Sequence, residues 1–308
     1  MRLEQTVFGL SFRNPVLLAA GTCGFGREVA EVIDLSAVGG LVTKSVTLEP
    51  RAGNPSPRVA GVDGGMMNSI GLTNPGAPAV RHDVLPWLEA NLSGTPVFVS
   101  VAGHSPEEYA EIVSLLDDGP GFQAWELNLS CPNDTRLGGQ PFALDPEAAA
   151  GVTARVRGLT DRPLVAKLAP NAPDLAAVVK AVEEAGADGF TLVNTMPGLA
   201  LDPLTGRPAL GAGVGGVSGP AIRAMGVRAV WTASQVTDLP LVGVGGIAGG
   251  GDAVQYLRAG ASLVQVGSAS FWDPRSEGRV RKELARLGRQ MGLSSVDELT
   301  GKVEGLAG

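Results

Sequence analysis

Cysteine is almost missing from this chain: Cys23 and Cys131 are the only two in 308 residues. Two distant thiols cannot build a disulfide framework and fit a reducing compartment, and they lack the spacing of a zinc or iron-sulfur ligand set. Histidine is as scarce, with His82 and His104 alone. Neither stands where it would pair with a cysteine, which disfavours papain-like hydrolysis, and no bound metal is expected. Cationic excess is also lacking: 24 Lys and Arg against 31 Asp and Glu leave a formal charge of -7. Without a basic surplus the chain has no electrostatic footprint for nucleic-acid phosphates. Apolar runs stop short of the ~20 residues of a membrane-spanning helix. The opening MRLEQTVFGLSFRNP has no apolar signal core, so a cytoplasmic protein is expected.

What is abundant is glycine. Its 44 residues are about twice the usual ~7% share, without a collagen-like period, so they serve turns or close approach of backbone to a ligand. Short apolar runs alternate with helical patterns, and each run ends in glycine or a polar residue. The runs are Pro15–Gly21, Gly40–Thr47, Pro96–Gly103, Ala124–Cys131, Pro163–Ala169, Gly189–Thr195, Pro240–Ile247 and Leu263–Ala269. Between them, Ser105–Leu116 opens on a cap, a proline and two acids, and Asp174–Ala185 carries Val178, Val179 and Val182 on one face. Regular βα order over this length predicts an α/β fold, a single-domain (β/α)8 barrel over residues 1–308, with a doubly wound sheet as the alternative. Two long insertions, Leu48–Ala77 and Met196–Gly219, follow the second and sixth runs, where a barrel carries its active site. Leu3–Phe12 reads as a hairpin beneath the barrel, turning at Gly9.

Polar residues at the ends of apolar strands are the informative set, because a barrel gathers those ends around one cavity. Lys44 and Lys167 lie inside apolar runs, where an ammonium needs an anionic partner. Asn128 and Asn194 end two others. Gly245-Gly246 and Gly267-Ser268 close the last two strands, the usual place for a phosphate in such barrels. Two dinucleotide-like glycine patterns, at 211–216 and 243–248, lack the strand context or the following acid of an NAD site, so a mononucleotide fits better. Cys131, in NLSCPN at the rim, is a candidate thiol base, whereas Cys23 reads as a loop residue.

These segments resemble the dihydroorotate dehydrogenases, specifically the class 1B catalytic subunit. The resemblance spans nearly the whole chain and rests on AAGTCGFG (19–26), VTKSVTLEPRAGNPSPR (42–58), MMNSIGLTNPG (66–76), ELNLSCPN (126–133), VAKLAPN (165–171), ADGFTLVNT (187–195) and GGVSGPAI (215–222). It implies an FMN enzyme oxidising dihydroorotate to orotate in pyrimidine synthesis, with Cys131 as the base. Around the flavin it implies Ala20, Gly21, Lys44, Ser45, Ser100, Asn128, Lys167 and Val193, with Gly219, Gly245, Gly246, Gly267 and Ser268 at the ribityl and phosphate end. Around the substrate it implies Lys44, Asn68, Ser69, Ile70, Gly71, Leu72, Asn128, Asn133, Asn194 and Thr195. Ala20 and Ser100 replace the family's usual serine and asparagine, and the loop after Cys131 is one residue longer than is common. The resemblance further implies a homodimer within a heterotetramer, the second subunit carrying FAD and an iron-sulfur cluster and passing electrons to NAD. Alternatives are a fumarate-linked class 1A enzyme, a flavin-dependent dehydrogenase of another dihydropyrimidine, and a non-catalytic flavin-binding subunit.

Overall fold

The computed structural model describes residues 1–130 and 140–305. Cys131 and Asn133 therefore lie outside the described residues. Strands are β1 (Gln5–Val7), β2 (Leu10–Phe12), β3 (Val16–Leu18), β4 (Gly40–Val42), β5 (Val59–Val62), β6 (Gly65–Asn68) and β7 (Val97–Val101). They continue as β8 (Ala124–Asn128), β9 (Leu164–Leu168), β10 (Gly189–Leu192), β11 (Met196–Gly198), β12 (Gly215–Ser218), β13 (Leu241–Val244) and β14 (Ala261–Val266).

Each of the eight apolar runs supplies one barrel strand, and the barrel closes in chain order as β3, β4, β7, β8, β9, β10, β13, β14, all neighbours parallel. Continuous apolar runs suit this arrangement because a parallel strand is covered on both faces; VFVSV, AWELN and LVAKL are buried throughout. Outside lie the connecting helices. Pro106–Leu116 starts where the Ser105 hydroxyl accepts from the Glu108 amide, and Leu175–Glu184 where the Asp174 carboxylate accepts from the Ala177 amide. The second helix buries Val178, Val179 and Val182, as its pattern predicts. None of the described helices is long and apolar enough to cross a membrane.

The lower end of the barrel is shut by the β1–β2 hairpin. Its turn takes positive φ at Phe8 (55°) and Gly9 (71°), the conformation of a two-residue hairpin loop. Val7 and Phe12 then pack against Leu17, Val42, Phe98, Ala124, Val165, Val242 and Leu263 from the barrel strands. The Phe8 ring meets Phe98 edge-on at 6.0 Å.

At the upper end the two insertions meet. β5 and β6 form a hairpin, β11 and β12 pair with each other, and β12 pairs antiparallel with β6, giving one four-stranded sheet ordered β11-β12-β6-β5. Val217 stands opposite Met67 in this register, and Met66 and Met67 are both buried. All eight barrel strands are shorter than their runs, and one run is interrupted. Gly40–Thr47 pairs only over Gly40–Val42 and resumes as a single bridge from Val46 to Val101. In the gap the Lys44 amide donates to Gly24 O at 2.7 Å, so Lys44 stands in a break of the strand at the barrel mouth.

Candidate active site

Between the strand ends and this sheet lies a cavity of about 830 Å³, within the size range of small-molecule and cofactor sites. Of the residues expected around a flavin, Ala20, Gly21, Lys44, Ser45, Asn128, Lys167, Val193, Gly219, Gly245, Gly246, Gly267 and Ser268 line it. Of those expected around a substrate, Asn68, Ile70, Gly71, Leu72, Asn194 and Thr195 line it as well. Two expected residues stand behind the wall. Ser100 is fully buried, its hydroxyl 2.9 Å from Ser45 Oγ, because its position in β7 lies below the level at which the strand ends open. Ser69 is buried too; its amide donates to Arg58 O and its hydroxyl accepts from Asn54 Nδ2, which spends both groups on holding the loop.

The polar wall is held by a chain of hydrogen bonds that crosses the barrel mouth. Asn128 Nδ2 donates to Ser45 Oγ at 3.2 Å, and its Oδ1 accepts from Ser130 Oγ at 3.4 Å and Asn194 Nδ2 at 3.3 Å. Asn194 Nδ2 also reaches Ser130 Oγ at 2.9 Å, while its Oδ1 accepts from the Thr195 amide. Each carboxamide has donors and an acceptor, so the network fixes orientation without introducing charge. Tyr109 OH donates to Asn128 O at 2.8 Å and anchors the end of β8 from the outer layer. Asn68, on β6, donates to Gly216 O at 3.4 Å and ties the two insertions together at the cavity roof.

Lys167 has the anion that its apolar surroundings demand. Its Nζ lies 3.7 Å from Glu126 Oε1, with 8% of the lysine side chain and 1% of the glutamate side chain exposed. Glu126 was not among the expected site residues. The signal for it existed: Glu126 and Asn128 lie two apart on β8 and share a face, and Asn128 pairs in register with Lys167. Thr191 on β10 and Gln265 on β14 complete the same buried layer, donating to Glu126 Oε2 at 3.0 and 3.3 Å.

The opposite part of the cavity is made of backbone. Gly245 (φ 127°) and Gly246 (φ 67°) adopt conformations closed to most side chains, and a Cβ on Gly246 would stand 2.6 Å from Gly219 O. Gly267 and Ser268 follow β14 beside them, and Phe271, Trp272 and Arg279 form the outer rim. Arg279 Nη1 pairs with Asp273 at 2.7 Å.

Cys23 lies in the turn after β3, fully enclosed, with its thiol 3.5 Å from both Ala19 O and Val42 O. Burial pushes this thiol up to about 12, and the nearby Glu28 carboxylate adds to the effect, so it is neutral and inert. His104 meets the Arg51 guanidinium, and no cluster of three metal-ligating side chains occurs among the described residues.

The family model described as dihydroorotate dehydrogenase matches residues 2–287. A protein of Anoxybacillus flavithermus named dihydroorotate dehydrogenase B (NAD(+)), catalytic subunit, is 43% identical over 301 residues, covering 98% of this chain and 96% of the relative. A Geobacter protein of the same name is 43% identical over 302 residues, covering 98% of each. Among solved structures, DHODH of Eimeria tenella in complex with ferulenol superposes with a TM-score of 0.82 at 24% identity, over 98% of this chain and 88% of that one, a likeness of fold.

Proposed function

The chain belongs to the dihydroorotate dehydrogenase family, and from that premise we propose that it oxidises dihydroorotate to orotate on FMN held in the upper cavity. One observation carries this reading. Two lysines, Lys44 and Lys167, converge with three asparagines, Asn68, Asn128 and Asn194, on a cavity whose other part is glycine backbone. A flavin mononucleotide divides in the same way: a ring whose pyrimidine edge gains negative charge on reduction, and a phosphate that backbone amides can hold. The cradle at Gly219, Gly245 and Gly246, where a Cβ on Gly246 would strike Gly219 O, fits the phosphate end.

Bound there, FMN supplies a two-electron acceptor for the hydride leaving C6 of dihydroorotate. The chain's residues do the rest. Asn68, Asn128 and Asn194 orient the substrate's ring and carboxylate through their amides, with Thr195 and the backbone of residues 70–72 beside them. Lys44 reaches both ligands, and Lys167 holds positive charge where negative charge develops. Cys131 Sγ takes the C5 proton; a thiol's ordinary range, about 8.5, lets an electropositive site bring it to the thiolate. The likeness to proteins named NAD(+)-type catalytic subunits supports a partner subunit that passes the electrons to NAD; FAD and an iron-sulfur cluster on that partner are part of the same proposal. A homodimer within that assembly and a cytoplasmic location complete the reading.

Anaerobic absorbance titration of the FMN-reconstituted chain tests it. Dihydroorotate is expected to bleach the flavin and dihydrouracil to leave it oxidised, and Cys131→Ala to slow the bleaching by about 10²-fold or more while retaining FMN. Reduction by dihydrouracil alone would transfer the assignment to another dihydropyrimidine, and reduction by neither would leave a flavin-binding subunit.

A further inference from the structure

Glu126 takes no part in the chemistry described so far. It is fully buried, and it does not line the cavity. Its Oε2 is satisfied by Thr191 Oγ1 and Gln265 Nε2, whereas its Oε1 has no hydrogen bond among the described residues and faces Lys167 Nζ at 3.7 Å. Keeping a carboxylate charged in a barrel interior is costly, and the two hydrogen bonds to Oε2 would be met as well by a glutamine carbonyl. What a neutral group could not do is balance Lys167. An ammonium is a compact charge on a flexible stem, so a carboxylate behind it both restrains the stem and offsets part of the field that the head projects forward. Four strands contribute to this layer, β8, β9, β10 and β14, which makes the arrangement a property of the closed barrel and not of one loop.

We propose that Glu126 is a positioning residue that sets the placement and effective charge of Lys167, and through it the electron affinity of the flavin held in the cavity. The inference rests on the cavity being the flavin site, and it concerns a different quantity from substrate identity. With Glu126 ionised, the lysine's pull on the reduced ring is moderated; with the carboxylate neutralised, the full cationic field acts on the ring.

The test is the FMN-loaded Glu126→Gln protein, read by its flavin midpoint potential in a dye-coupled titration and by its dissociation constant for sulfite, which binds an oxidised flavin more tightly when positive charge lies near the ring. The potential is expected to rise and sulfite binding to tighten by about tenfold, the scale of one uncompensated charge at partial burial. In a Lys167→Gln background the same change should have little effect, because the cation through which Glu126 acts is gone. A merely structural role would alter stability or FMN affinity while leaving potential and sulfite binding as in the wild type, and that result, or full additivity of the two substitutions, overturns the proposal. Should Glu126→Gln fail to fold, Glu126→Asp keeps the carboxylate but draws it back from Lys167, and is expected to shift both readouts in the same direction by less; no shift there overturns the proposal equally. Neither readout uses dihydroorotate, so a failure of the substrate assignment is seen separately, in the titration with substrate.

Discussion

The two ends of the barrel are built on the same eight strands and could hardly differ more in chemistry. At the lower end Phe98, Leu17 and Val165 meet Val7 and Phe12 of the β1–β2 hairpin in a dry apolar plug. At the upper end the strands finish in Asn128, Lys167 and the glycines, under a sheet made from two insertions. Between the two lies the layer of Glu126, Thr191 and Gln265, buried yet polar. The contrast separates tasks. Closure of the lower end secures the fold by burial, which leaves the upper end free to keep cations and amides facing a cavity at a cost in stability.

If the tasks are separate, damage at one end should leave the other working. Phe12→Ala removes a ring with 1% exposure from the plug and is expected to cost about 3–5 kcal/mol in chemical denaturation, while FMN affinity of the folded protein stays unchanged. A parallel fall in FMN affinity would break the comparison. Gly246→Ala acts at the other end. Its φ of 67° costs a side chain about 1–2 kcal/mol, and the new Cβ would strike Gly219 O, so fluorescence titration should show FMN binding weakened about tenfold or more with only a modest drop in melting temperature. Unchanged FMN binding would remove the glycine cradle from the site.

The smallest expected effect is a null one. The Cys23 thiol is raised to about 12, above the ordinary value, so its protonated form persists until the pH nears that figure and no thiolate accumulates between about pH 6 and 9. Peptide mapping after iodoacetamide treatment should find Cys23 unmodified in the folded protein at every pH in that window. Labelling that climbs from pH 7 to 9 would mean a solvated thiol and would add Cys23 to the chemistry of the upper end.

Much of this molecule is legible in one dimension because its signals are local. Helix caps at Ser105 and Asp174, the hairpin turn at Phe8-Gly9 and the eight apolar runs each lie within a few consecutive residues, and each forms where the pattern predicts. Lys44, Lys167, Asn128 and Asn194 also stand out locally, as polar residues at the ends of apolar runs, and all four reach the cavity. Ser100 stands apart from these four. The motif assigns it to the flavin, yet the height at which β7 sits in the barrel puts its hydroxyl against Ser45, one residue behind the wall.

The sequence by itself determined the order of strands and helices, the closed apolar end and the residue types available at the open one, because periodicity and capping act between near neighbours. Tertiary structure alone decided that residues 59–68 and 196–218 share one sheet, that Lys44 stands in a break of its strand, and that Glu126 faces Lys167. Those outcomes depend on pairing between strands far apart in the chain and on the stagger of the barrel. Glu126 and Lys167 meet through the pairing of neighbouring strands β8 and β9, and Gln265 of β14 reaches Glu126 across the interior of the closed ring.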